Sequence, residues 1–108
     1  MGWVPQIPAR LLPDDMSVRV PDGRGGLAEP VAVRRVRFVR AQSASDDAHR
    51  YADAGTGRVY IDAVNSVGGF DIPVGSRVGI RGVDYFVWRC RACEGFGGAV
   101  HHWEVDVR

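Results

Sequence analysis

The stretch RVGIRGVDYFVWRCRACEGFGGAVHHWEVDVR, residues 77–108, decides the fold because apolar and polar side chains alternate through three consecutive segments. The first segment ends at Arg81-Gly82, the second covers residues 83–91, and the third covers residues 101–107. Two-residue alternation broken by short, glycine-containing connections is typical of antiparallel strands. The C-terminal third therefore predicts three strands joined by tight turns, with the glycine-rich residues 95–98 as a hairpin loop.

Simple alternation also assigns faces to these predicted strands. It places one group of side chains together on one face, namely Phe86, Trp88, Cys90 and Ala92. Tyr85 and Val87 take the opposite face. In the last segment, Trp103 shares its face with Val105 and Val107, and we therefore expect Trp103 to lie in the core.

The N-terminal residues 1–15 predict an extended arm. Prolines spaced through this segment remove backbone donors and fix φ, so it sustains neither a helix nor a central strand. Its apolar side chains have no periodic partner within the segment, and two alternatives remain open. They either pack over the open end of the chain's own barrel or contact a neighbouring subunit. The candidate interface residues are Trp3, Ile7, Leu11 and Leu12.

The middle of the chain adds further short strands. Met16, Val18 and Val20 alternate on one face, and residues 58–64 alternate again. Residues 31–40 alternate in two registers, which a β-bulge near Arg34 and Arg35 would reconcile. Residues 41–57 are polar and show no sustained period, so they predict one long mobile loop.

These elements predict an all-β fold, a small antiparallel β-barrel that is SH3-like or related. Barrel closure removes the unpaired strand edges that a flat sheet would expose. The chain has 108 residues, which is the size of one domain. We therefore predict a single barrel domain over residues 16–108, preceded by the arm over residues 1–15.

Charge and hydropathy exclude several classes of protein. The 14 basic residues, all arginine, and 13 acidic residues give a net charge of +1, so whole-molecule electrostatics does not favour nucleic acid or membrane binding. No apolar run approaches the ~20 residues of a membrane span, and the first residues lack the pattern of a signal peptide. The sequence predicts a protein made in the cytoplasm with no membrane partner.

Chemistry that would indicate an enzyme is absent from the sequence pattern. No nucleophilic side chain has a general base at the spacing of a catalytic pair, and no two carboxylates have the spacing of a general acid and a general base. His49, His101 and His102 are titratable near neutral pH, but none has a partner that the sequence would position. We predict that the protein is not an enzyme and needs no cofactor.

Two cysteines and two histidines resemble a Cys2His2 zinc set: Cys90, Cys93, His101 and His102. In a strand, however, Cys90 and Cys93 fall on opposite faces, and adjacent histidines also point apart. The sequence therefore predicts no metal site, a core thiol at Cys90 and a loop thiol at Cys93. A zinc-stabilised adaptor remains a minor alternative.

Four cations concentrate in the predicted strand at residues 31–40, namely Arg34, Arg35, Arg37 and Arg40. They could face DNA phosphates, which would make the chain a small β-barrel nucleic-acid-binding module. The competing interpretation, which we favour, is a solvated face paired with Asp46, Asp47 and Asp53, since no aromatic residues interleave to stack bases.

Several stretches carry a resemblance that covers nearly the whole chain. They are IPARLLPDD at residues 7–15, VYIDAVNS at 59–66, VGSRVGIRGVDYFVWRC at 74–90 and VHHWEVDVR at 100–108. In this order they resemble the small minor capsid proteins of tailed bacteriophages and prophages, which are treated as head-closure or head-tail connector components. The long loop at residues 41–57 and the two cysteines depart from that pattern.

The resemblance implies a virion structural protein at the head-tail junction, assembled in the host cytoplasm. It implies self-association into a ring that seals the portal channel and docks the tail. The partners would be a portal or adaptor protein, tail proteins and packaged DNA in the channel. Such a ring has head-to-tail contacts that close by rotation, so each subunit needs a contact surface on both sides.

Overall fold

The structure, a computed structural model, describes residues 5–40 and 56–108, which form a closed six-stranded antiparallel barrel. The strands are β1 (Asp14–Arg19), β2 (Val31–Arg40), β3 (Gly57–Asp62), β4 (Arg77–Ile80), β5 (Val83–Glu94) and β6 (Val100–Val107). Their order around the barrel is β1-β2-β3-β6-β5-β4, and β4 pairs back with β1 to close it. The predicted all-β antiparallel barrel is confirmed.

The remaining regular structure within the described residues consists of two short 3-10 turns, at Ala9–Leu11 and Phe96–Gly98. None of the described helices is long and apolar enough to cross a membrane. Of the predicted loop at residues 41–57, all but the last two residues lie outside the described part of the chain. Trp3, His49, Asp46, Asp47 and Asp53 lie outside it as well.

The core fills the barrel with β-branched side chains, as two-residue alternation requires. Every strand contributes, and the fully buried members are mainly valine and isoleucine, which suit the pleated surface of a strand. They include Val18, Val33, Val36, Val59, Ile61, Val78, Ile80, Val87, Val105 and Val107. Phe38 and Tyr85 stack inside with ring centroids 5.2 Å apart. The barrel interior is therefore packed with side chains and holds no channel of its own.

A β-bulge in β2 reconciles the two registers seen in the sequence. Opposite β1, Asp14 pairs with Val36 and Asp15 pairs with Arg34, which leaves Arg35 as the extra residue. Arg35 has φ of 61°, in the left-handed region. The bulge keeps both Val33 and Val36 buried, so the predicted bulge near Arg34 and Arg35 is confirmed.

The turn between β4 and β5 has a local cause. Arg81 and Gly82 both have positive φ, at 54° and 80°, which is the pattern of a two-residue type I′ hairpin turn. This turn matches the right-handed twist of the paired strands, and Gly82 adopts its conformation without strain. The predicted turn at Arg81-Gly82 is confirmed.

A second bulge, in β5, overturns the face assignment made from simple alternation. The pairing of β5 with β6 shifts between Val87 and Arg89, so Trp88 does not share a face with Cys90. Phe86 and Trp88 are 47% and 42% exposed on the outside, whereas Cys90 packs against the core. The prediction that Phe86, Trp88, Cys90 and Ala92 share one face is therefore wrong, because a bulge reverses the alternation.

Candidate functional site

The arginine row on β2 lies on the outside of the barrel. Arg34, Arg35, Arg37 and Arg40 are all exposed. The Arg35 amide donates a hydrogen bond to Asp15 Oδ1 at 3.0 Å. This contact involves the backbone N–H of Arg35 and not its guanidinium group. Among residues 5–40 and 56–108, none of the four guanidinium groups forms an ion pair. A row of exposed cations is the physical requirement for a phosphate-binding strip.

The arginines on the neighbouring strands differ, because acidic side chains neutralise them. Asp106 on β6 accepts hydrogen bonds from Arg58 Nε at 2.7 Å and Arg89 Nε at 2.8 Å. Burial by itself raises the pKa of Asp106, but these two guanidinium groups outweigh burial and hold that pKa below its usual value. Glu104 pairs in the same way with Arg58 and Arg91. On the outer face of β3, β6 and β5, these arginines and acidic residues therefore form one network of ion pairs.

An exposed aromatic pair lies on the outer face of β5. We call Phe86 and Trp88, with the arginines stacked on them, the aromatic surface. Arg77 lies 4.8 Å from the centroid of Phe86, and Arg89 and Arg108 lie 5.1 and 5.0 Å from that of Trp88. Protein contact sites are enriched in large aromatic residues and in arginine. Alternation separates these two rings from Tyr85 and Val87, but it does not show which of the two faces is the outer one.

Asp62, at the end of β3, fixes the N-terminal segment to the barrel. Its side chain is almost completely buried. Oδ1 accepts the Ile7 amide at 2.8 Å and Gln6 Nε2 at 2.9 Å, while Oδ2 accepts the amides of Val64 and Asn65 at 2.9 and 2.7 Å. Sequence reasoning missed this anchor, although an aspartate ending an apolar strand before a turn is the signal that could have found it.

The four hydrogen bonds that Asp62 accepts explain its ionisation. Burial by itself raises the pKa of Asp62. The hydrogen bonds from the amides of Asn65, Ile7 and Val64 and from Gln6 outweigh burial and hold the pKa below its usual value. The carboxylate therefore stays charged inside the protein and holds the arm in one place.

The candidate interface residues of the arm occupy different environments. Leu12 is buried in the chain's own core at 3% exposure, Ile7 is partly buried, and Leu11 is 41% exposed. Trp3 lies outside the described residues. Contact of these four residues with a neighbouring subunit stays a prediction, and Leu11 presents the most apolar surface among those described.

The cysteines and histidines do not form a Cys2His2 set. Cys90 packs against the core, where burial raises the pKa of its thiol. Cys93 lies in β5, paired with His102 on β6, so the prediction of a loop thiol is wrong. The predicted divergence of the two histidines is also wrong, because His101 Nδ1 lies 2.9 Å from His102 Nδ1. A register shift between Cys93 and Glu94 breaks the regular alternation at this end of the barrel.

The side chains of these surfaces are suited to contact with another molecule. A shallow hollow of about 460 Å³ is lined by Trp88 of the aromatic surface, by Arg40 of the arginine row and by Asp106. The oxygens of this Asp106 are occupied by Arg58 and Arg89. The arrangement suits the attachment of a macromolecule more than the enclosure of a small substrate, because the hollow is open to solvent.

The chain matches a family described as minor capsid protein over residues 8–107. No curated protein and no solved structure matches the chain. The match begins within the N-terminal segment and ends at the last residue of β6, so it covers all six strands of the barrel. The chain therefore belongs to the minor capsid protein family and is a structural component of phage virions.

Proposed function

We propose that this protein is a head-tail connector component that forms a ring at the portal, closes the DNA channel after packaging and docks the tail. It assembles in the host cytoplasm and remains at the head-tail junction of the virion. Membership of the minor capsid protein family supports the structural role, and the rigid, side-chain-filled barrel suits a building block. A subunit of a ring needs two different contact surfaces, because head-to-tail contacts join unlike faces.

The observation that carries this proposal is the aromatic surface. Phe86 and Trp88 expose nearly half of their area on the outside of β5, where a polar residue would serve a monomer better. Burial against another subunit would remove this area from water, at about 25 cal/mol per Å² of apolar surface. The exposed Leu11 in the N-terminal segment is the candidate on the opposing side of the contact.

The connector proposal predicts a specific assembly defect. The chain mixed with the portal protein of its own phage should give rings under negative-stain electron microscopy and a co-migrating complex in sedimentation. Phe86→Ala combined with Trp88→Ala should abolish both, because it removes the apolar area without touching the core. The free energy of unfolding should fall by only about 1 kcal/mol, since both rings are half exposed.

Phe96→Ala is the matched control, since Phe96 is an exposed aromatic residue outside the aromatic surface. It should assemble like the unmodified chain. Normal rings from the Phe86→Ala, Trp88→Ala protein would exclude the aromatic surface as the contact. An unmodified chain that neither forms rings nor binds the portal would contradict the connector role itself.

A second candidate function is direct binding of DNA by the arginine row. The observation that favours it is the contrast between strands. Arg58, Arg89 and Arg91 are neutralised by acids, whereas Arg34 and Arg37 have no ion-pair partner among the described residues. In a connector ring, this row would face DNA in the channel, and in isolation it would bind duplex DNA weakly and without sequence preference.

Arg34→Ala combined with Arg37→Ala should lower the salt dependence of DNA binding. Each lost phosphate contact removes about 0.9 from the slope of log K against log salt, so the double variant should lose about 2. The measurement is a fluorescence-anisotropy titration of labelled duplex DNA over a salt series. Arg10→Ala combined with Arg24→Ala removes two exposed arginines elsewhere and should leave the slope unchanged. Equal slope losses in the two double variants would contradict a localised DNA-binding strip.

A further inference from the structure

Three potential metal ligands converge on the outer face at one end of the β5–β6 pair. They are Cys93, His102 and Glu104, and one donor atom from each lies within 4.8 Å of the other two. The pairing explains the cluster, because Cys93 lies opposite His102 across the two strands and Glu104 follows His102 on the same face. All three side chains are partly buried. This set excludes Cys90 and His101, so it is not the Cys2His2 set suggested by spacing.

Hydrogen bonding determines which nitrogen of His102 is available to a ligand. His101 Nε2 lies 2.9 Å from the Pro5 carbonyl oxygen, which only accepts, so this nitrogen carries the proton. In a neutral ring His101 Nδ1 is then the acceptor, and His102 Nδ1, 2.9 Å away, donates to it. His102 Nε2 is left with a lone pair, and it lies 3.2 Å from Glu104 Oε2.

With Nε2 unprotonated, its lone pair and the oxygen Glu104 Oε2, 3.2 Å away, are two donor atoms that one metal ion can bind together. The thiol of Cys93 has its sulfur within 4.8 Å of both atoms, and sulfur is a preferred ligand of Zn²⁺.

The surroundings of Glu104 hold its carboxylate in the required orientation. Oε1 pairs with Arg91 and, at 3.3 Å, with Arg58, which leaves Oε2 directed to His102. His101 acts in the same way on the imidazole, since it accepts from the nitrogen opposite the free one. Ligands fixed by such outer partners are typical of zinc sites.

We propose that Cys93 Sγ, His102 Nε2 and Glu104 Oε2 bind one Zn²⁺. Three protein ligands leave a fourth tetrahedral position, which water can fill because the cluster is partly exposed. The ion would join β5 to β6 at the end of the barrel and, through His101, reach the N-terminal segment at Pro5. This site is independent of the connector role and of the arginine row.

The test uses the full chain, freed of metal by a chelator and kept reduced with a phosphine. Co²⁺ should add with one ion per chain and give tetrahedral visible bands and a thiolate-to-metal charge-transfer band, and Zn²⁺ should displace it. Cys93→Ser should abolish the charge-transfer band and weaken Zn²⁺ binding at least about tenfold, as measured by competition with a chromogenic chelator. Cys90→Ser is the matched control and should preserve the band and the affinity.

Glu104→Gln supplies a variant that keeps both thiols. It should retain a thiolate band but weaken Zn²⁺ binding, because a neutral amide replaces the anionic ligand. Circular dichroism of each metal-free variant shows whether the barrel is intact. Absence of a thiolate band in the unmodified chain would overturn the proposal. A band that Cys90→Ser removes while Cys93→Ser leaves it intact would overturn it equally.

Discussion

Asp62→Ala should lower the free energy of unfolding by about 3–5 kcal/mol. The reason is that both carboxylate oxygens accept two N–H groups each, so the alanine variant leaves several donors without a partner at a buried site. Asp62→Asn should not rescue the protein, because either orientation of the amide directs its NH₂ group at two donors. Urea unfolding followed by circular dichroism gives the difference directly.

Asp84→Ala is the matched control, since Asp84 is an exposed aspartate on β5. It should change the free energy of unfolding by less than about 0.5 kcal/mol. If Asp62→Ala behaved like Asp84→Ala, the buried carboxylate would not be the anchor of the N-terminal segment.

Acid should remove the contribution of Asp62. Its pKa in the folded chain is lowered from 3.8, because the four hydrogen bonds outweigh the opposing effect of burial. A carboxyl whose folded-state pKa lies below its unfolded value stabilises the fold above the unfolded pKa, near 4. That stabilisation disappears as the pH falls through the folded-state pKa. The stability difference between the unmodified chain and Asp62→Ala should therefore be constant from neutral pH to about pH 5 and shrink below about pH 4.

Most of the fold was predictable because the strand period is short and the core is made of β-branched residues. The β-bulge near Arg34 and Arg35 was predictable too, since two registers in one strand require an extra residue. The β-bulge at Trp88 was not predictable from the sequence. Phe86, Trp88 and Cys90 are all apolar and continue one parity, so no change of pattern marks the point where the strand shifts.

The candidate surfaces were predictable only in part. The arginine row is visible in the sequence as a concentration of charge, and the structure places it on the outside of β2. Which arginines have acidic partners depends on the register of β3, β6 and β5, and pairs such as Arg58 with Asp106 are 48 residues apart. Contacts between distant positions follow from closure of the barrel, which no local pattern encodes.

Trp103→Ala tests the position of Trp103, which both the sequence and the structure place against the core. The indole packs against the core and against Gly69, where an added Cβ would come within 3.0 Å of Trp103 Cζ3, and its N–H donates to Asp71. We expect Trp103→Ala to lower the free energy of unfolding by about 3 kcal/mol, the low end for a tryptophan, because the side chain keeps some exposure. Trp103→Phe should cost less than Trp103→Ala, because a smaller aromatic ring remains while part of the indole packing and the hydrogen bond to Asp71 are lost.

Trp88→Ala provides the matched comparison, because the same side chain lies 42% exposed on the outside of β5. Its removal should cost no more than about 1 kcal/mol. A ranking in which Trp103→Ala is near neutral would place Trp103 at a contact with another subunit instead of the core. Because the two tryptophans differ in face and not in size, their stability difference measures the contrast between an aromatic side chain packed against the core and one on the aromatic surface.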